Sequence, residues 1–155
     1  MEGLKHKKPL TFSDFKYIYS KVPRSTVEVL IIKDGAVLLA KRSIDPYKGM
    51  WHSPGGTVYF REKITDAVKR VAKEEIGVDV EVGELLGIIE YDSEKDEYFG
   101  NSLSHVYFCK IVRGTPMAEE QSEEIAFFKE IPDNTIPEQR EFYRQLLESP
   151  SSPTS

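Results

Sequence analysis

The succession of apolar runs and turn residues predicts an α+β fold, a mixed sheet between helices. Three observations carry that expectation. Two apolar runs at 25–33 and 36–40, the first rich in β-branched residues, flank Asp34-Gly35, the strongest short signal for a hairpin. One helix-period stretch in mid-chain closes at Gly77. Beyond it, strand-like runs at 78–91, 104–112 and 125–129 precede a second helical stretch.

Each element has its own reason. Residues 11–21 read as a short amphipathic helix capped by Thr11 or Ser13 and ended by Pro23. Its aromatics, Phe12, Phe15, Tyr17 and Tyr19, are expected to pack on the domain or on a second subunit. Lys41-Arg42 closes the second strand, and Arg42 is a candidate contact to substrate phosphate because its guanidinium is a rigid fork. A loop at 43–50 leads to Trp51, expected as a core anchor, and to His52, expected as a structural residue. Run 78–91 reads as a strand with a turn near Gly83. Residues 92–100 form an acidic turn with the aromatic tip Tyr98-Phe99, a lid or a dimer contact. His105 enters the next strand where a side chain can face a cleft. The last helix starts near Ile136-Pro137, with proline suitably early and Phe142, Leu146 and Leu147 as its apolar face. The expected organisation is an N-terminal extension at 1–23, one domain at 24–148 and a disordered tail at 149–155.

Composition narrows the function classes. The chain has 155 residues, enough for one domain with a real core. Its 26 acidic residues against 21 Lys and Arg give a formal charge of −5. That balance argues against nucleic acid as partner, because such binding rests on cationic contacts to phosphate. The single cysteine, Cys109, excludes an internal disulfide and lies in an apolar run, where a buried inert thiol is expected. No run of 18 apolar residues occurs, so no membrane span is expected, and the location expected is cytoplasmic.

The central stretch at 55–78, GGTVYFREKITDAVKRVAKEEIGV, carries the chemistry. It opens on a Gly-Gly turn and continues into one helix. At about 100° per residue, Ile64, Ala67, Val68 and Val71 share one stripe, and Glu75 falls within it. Glu74 lies at the edge, beside the line of Glu62, Asp66 and Arg70. A carboxylate in an apolar stripe is costly unless compensated, and a hard divalent cation is its natural partner. Gly56 lets backbone approach such an ion and offers its carbonyl. Arg70, eight residues after Glu62 and four before Glu74, is placed to hold those carboxylates along one helix face.

With Gly56, Glu62, Arg70, Ala72, Glu74, Glu75, Gly77 and Val78, this stretch resembles the Nudix box, G-x5-E-x7-R-E-U-x-E-E-x-G-U, where U is aliphatic. The likeness extends over roughly 25–130. It implies the Nudix α/β/α sandwich and a hydrolase that cleaves a nucleoside diphosphate linked to another moiety, with Mg2+ or Mn2+ as cofactor. It places Glu28 near the nucleotide base and the loop at 117–124 over the metal, and it leaves a homodimer open. The metal set it implies is Gly56, Glu74, Glu75 and, from the loop, Gln121. Arg42, His105 and Glu28 are the candidate substrate contacts.

Val71 departs from the pattern, which has glutamate there. Three readings follow. A pyrophosphohydrolase attacking phosphorus would draw the lost carboxylate from Glu120, Glu123 or Glu124. The GDP-mannose mannosyl hydrolase branch, which attacks the sugar carbon, also has an aliphatic residue at this place. It shares the Phe-rich N-terminus, Leu39-Ala40-Lys41-Arg42, Trp51 and His105, and it matches at Gln121; Ser122 stands where its histidine base would be. A non-catalytic nucleotide-binding module is the third.

Overall fold

The computed structural model describes residues 10–92, 101–119, 122–150 and 153, and these form three helices and seven strands. Helix α1 (Phe12–Tyr19) is capped by Thr11, whose Oγ1 accepts from the Asp14 N–H at 3.1 Å. Phe12 and Tyr17 are exposed, while Phe15 packs on Tyr19 and under the Arg24 guanidinium.

Strands β1 (Arg24–Lys33) and β2 (Ala36–Arg42) form the expected hairpin. Asp34 and Gly35 both take positive φ, 52° and 76°, as a two-residue turn that follows strand twist requires. The two strands pair only at the root, Ile32 with Val37 and Lys33 with Ala36. Beyond the root they part. β1 pairs with β4 (Gly55–Thr57) and, in parallel, with β6 (Asn101–Arg113), which in turn holds β5 (Asp79–Asp92). β2 pairs with β3 (Trp51–His52) and β7 (Ser122–Phe128). Residues 52–55 therefore cross from one half of the split sheet to the other.

Both faces of β1 are buried, so apolar residues run without alternation from Val29 to Ile32. Val27, Val29 and Ile31 pack with Ala67, Val68, Val71, Ala72 and Ile76 of helix α2 (Ile64–Ile76). Leu30 and Ile32 face the other way, toward Trp51, Phe108 and Tyr143, the last from helix α3 (Pro137–Glu148). Trp51 is a core anchor, edge-on to Phe128. The result is the expected α+β arrangement.

Several local expectations need correction. Gly55-Gly56 is not a turn but the short strand β4. No turn occurs at Gly83: β5 runs through it with register shifts between Val82 and Gly87. A Cβ on Gly83 would come within 2.9 Å of the Phe108 carbonyl, so glycine marks a close backbone approach instead. β7 starts three residues early, because pairing with β2 continues to Glu124 opposite Lys41 and Ser122 opposite Arg42. On α3 the fully buried side chain is Tyr143, with Phe142, Leu146 and Leu147 packed around it. The Tyr98-Phe99 tip lies outside the described residues. No helix among the described residues is long and apolar enough to cross a membrane.

Candidate active site

The residues of the box meet where α2 crosses β4. Gly77 closes α2 in the left-handed conformation at φ 72°, the position glycine takes at helix ends. Ahead of the helix, a tight turn brings the Glu62 N–H to the Tyr59 carbonyl at 3.0 Å, and Glu62 Oε1 accepts from the Tyr59 N–H at 3.0 Å. Arg70 locks this turn. Its Nε donates to Glu62 Oε2 at 2.8 Å, and Nη2 donates to Glu62 Oε1 at 3.0 Å and to the Thr57 carbonyl at 2.7 Å. Nη1 donates to Glu74 Oε2 at 3.0 Å. The guanidinium also lies 3.7 Å from the centroid of the Tyr59 ring. Burial opposes the Arg70 charge, but the bond to Glu62 and the charges of Glu62 and Glu74 outweigh it, so its pKa stands above the ordinary value. Arg70 thus draws Glu62 and Glu74 into one row. Glu62 is buried in that pair, whereas the Glu74 side chain is 54 % exposed.

Val71 points the other way. It is 1 % exposed within the core, and a Cβ placed on Gly56 would lie 3.0 Å from its Cγ2. Where the box pattern has a carboxylate, a methyl group fills the space beside Gly56. Glu75, one turn further along α2, is half-buried. The β1–β4 register matters for Gly56 as well. Val29 N–H bonds to the Pro54 carbonyl and Val58 N–H to the Ser25 carbonyl, so by alternation Val27 and Gly56 form a hydrogen-bonded pair. The Gly56 carbonyl already accepts once and has one lone pair left for an ion.

The remaining candidates are dispersed. Arg42 ends β2, where its Nε donates to the Pro46 carbonyl at 2.6 Å. His105 Nδ1 bonds to the Thr26 carbonyl at 2.9 Å. It shares a row across the sheet with Val27 and Gly56, on the face that carries α2. Glu28 is not on that face. It is 2 % exposed and reaches Tyr91 and Ser53 on the α3 side, which sequence reasoning missed. Glu120 and Gln121 lie outside the described residues. The loop that carries them starts at the end of α2, where Met117 N–H bonds to the Ile76 carbonyl. Ser122 opens β7, with its N–H on the Glu119 carbonyl at 2.9 Å.

Comparison with known proteins places the fold in a family. The model of the NUDIX domain matches residues 22–147. The chain belongs to the NUDIX domain family. It is 39% identical over 92 residues to the low-salt glycan biosynthesis protein Agl8 of Haloferax volcanii, covering 59% of each chain. It is 35% identical over 113 residues to an ADP-ribose pyrophosphatase of Methanocaldococcus jannaschii, covering 73% of this chain and 66% of that one. The chain therefore spans about three fifths to two thirds of these curated relatives. Among solved structures, a MutT NUDIX hydrolase from Burkholderia pseudomallei superposes with TM-score 0.73 at 28% identity, covering 81% of this chain and 98% of that one.

A divalent ion, which the Nudix family implies, can be tested against these donors. Among the described residues no three His, Cys, Asp or Glu side chains converge to hold one. The candidate oxygens are those of Glu74, Glu75 and the Gly56 carbonyl. One or two carboxylates completed by water and substrate phosphate are what magnesium takes, so the site fits an ion that shares its ligands with a diphosphate. It does not fit an ion caged by protein alone.

Proposed function

We propose that this chain is a Mg2+- or Mn2+-dependent hydrolase of a nucleoside diphosphate linked to a second moiety, acting by attack at phosphorus on a substrate of the ADP-ribose type. The observation that carries the reading is the row Glu62–Arg70–Glu74, in which one guanidinium holds both carboxylates beside Gly56. In this reading Glu74, Glu75, the Gly56 carbonyl and Gln121 hold the ion. When bound, the ion supplies charge neutralisation on the diphosphate and a more acidic water.

The chain's own residues do the rest. Arg70 acts through Glu74, fixing its carboxylate in place. Glu120, on the loop tied to the end of α2, takes the role of the carboxylate absent at Val71 and removes a proton from the attacking water. The water oxygen bonds to one phosphorus, the bridging P–O bond breaks, and the leaving phosphate departs with the electron pair. Arg42 and His105 contact the substrate. Support for the substrate class comes from the Methanocaldococcus jannaschii relative, itself named an ADP-ribose pyrophosphatase. Carbon attack is disfavoured by Ser122, a hydroxyl with no basic nitrogen, whose backbone is committed to β7.

A panel of ADP-ribose, GDP-mannose and nucleoside triphosphates with Mg2+ or Mn2+, run in 18O-labelled water, tests this reading. We expect ADP-ribose to turn over with label in phosphate. Label in the sugar would establish carbon attack, and no turnover of any compound would establish a binding module.

A further inference from the structure

A closed group of polar side chains lies on the far face of β1, where the box has no part. Glu28 Oε1 accepts from Tyr91 Oη at 2.7 Å and from Ser53 Oγ at 3.1 Å. The Ser53 N–H donates to Gln139 Oε1 at 2.7 Å, and Ser53 Oγ meets the Tyr143 hydroxyl. Gln139 also reaches Tyr91. Ser53 has one hydroxyl proton, which goes to Glu28, so Tyr143 donates to Ser53. Glu28, Ser53, Gln139 and Tyr143 are 2 %, 1 %, 5 % and 0 % exposed. Glu28 Oε2 is buried without a hydrogen bond.

We propose that Glu28 is a positioning residue which, through Ser53, sets strand β4 against helix α2. Three contacts transmit the position. Ser53 is held from both β1 and α3. The next residue, Pro54, accepts the Val29 N–H at 2.8 Å. Two residues further, Gly56 lies against Val71 of α2 and offers its carbonyl to the site. This is the crossing between the halves of the split sheet, where few ladder bonds define the path. A buried polar network defines one there, at a cost that apolar packing would avoid, with Glu28 Oε2 left without a partner. Burial, with Glu138 adding to it, raises the Glu28 pKa despite the donors from Tyr91, Ser104 and Ser53. Glutamine keeps the length of Glu28 and an oxygen to accept from Tyr91 and Ser53.

The catalytic arm of the test rests on the proposed function; the exchange arm does not. Hydrogen–deuterium exchange of segment 53–58 and the kinetics of ADP-ribose hydrolysis with Mg2+ are measured on the full chain. Glu28→Ala and Ser53→Ala should speed exchange in that segment, and should lower kcat by up to about 10²-fold with KM little changed. Glu28→Gln should restore most of both. If Glu28→Ala does not fold, Gln139→Ala removes the α3 anchor of Ser53 and should give the same pattern. A raised KM with unchanged kcat would make Glu28 a direct substrate contact and overturn the proposal. Unaltered exchange in all three alanine variants would overturn it too, whether or not ADP-ribose is the substrate.

Discussion

At His52 the fold decides the protonation state. The ring is 8 % exposed on the α2 side of β3, its Nδ1 bonds to the Ser53 carbonyl at 2.8 Å, and its Nε2 is buried with no hydrogen bond. A carbonyl only accepts, so Nδ1 carries the proton and the ring is the neutral tautomer. Burial, then the nearby Arg42 charge, lowers its pKa from 6.5 to about 4. The sign follows from linkage. The stabilisation is present above the unfolded value and is lost as pH falls toward the folded one, because the unfolded chain takes up the proton first. At 1.36 kcal/mol per unit, the gap amounts to about 3 kcal/mol. Urea unfolding between pH 6.5 and 4 should show the wild type losing stability more steeply than His52→Gln. Equal slopes would mean that the imidazole is charged in the folded state. A lone histidine between Trp51 and Ser53 announces none of this in sequence, because its burial depends on β3 pairing with β2. Cys109 was more legible: it lies in an apolar run, is 1 % exposed, and burial pushes its thiol up to about 12.

For the box, helix and preceding turn act as one element. The Arg70–Glu74 pair was readable because residues four apart on a helix are neighbours, whereas Glu62, expected on the same helix face, lies ahead of the helix. The stacking of Arg70 on Tyr59 and its bond to the Thr57 carbonyl were not readable, since both depend on how the turn at 58–63 folds back. Arg70 makes four hydrogen bonds, three of them ahead of the helix, so it is a planar clamp rather than a point charge. Arg70→Lys keeps the charge but cannot span Glu62, Thr57 and Glu74 together. We expect a stability loss of about 2 kcal/mol in urea unfolding, from bonds to buried Glu62 left unmade. A fall in kcat should accompany it. A lysine variant equal to wild type in both would show that charge alone suffices. Val71 belongs to this scale too. Sequence showed a missing carboxylate, and the structure adds that the position faces the core beside Gly56.

The whole molecule is a sheet split at its hairpin root, with a helix on each face and the box at the crossing. Its α+β class, the Asp34-Gly35 hairpin, the Gly77 end of α2 and the proline start of α3 were all legible from local pattern. The split was not, because it arises from which partners β1 and β2 choose far along the chain. For the same reason Glu28 reads as an odd residue in an apolar strand, when it meets Tyr91 directly and Gln139 through Ser53, both from distant elements. Charge completes the picture: a chain of net charge −5 receives a diphosphate best when a cation accompanies it. That is the central claim, a metal held jointly by the α2 carboxylates and the substrate. Electron paramagnetic resonance titration of Mn2+ with and without ADP-ribose tests it most directly. Binding should tighten when the nucleotide is added, and Glu75→Gln should weaken that complex by at least about tenfold. Equal Mn2+ affinity in wild type and Glu75→Gln, with nucleotide present, would contradict the account.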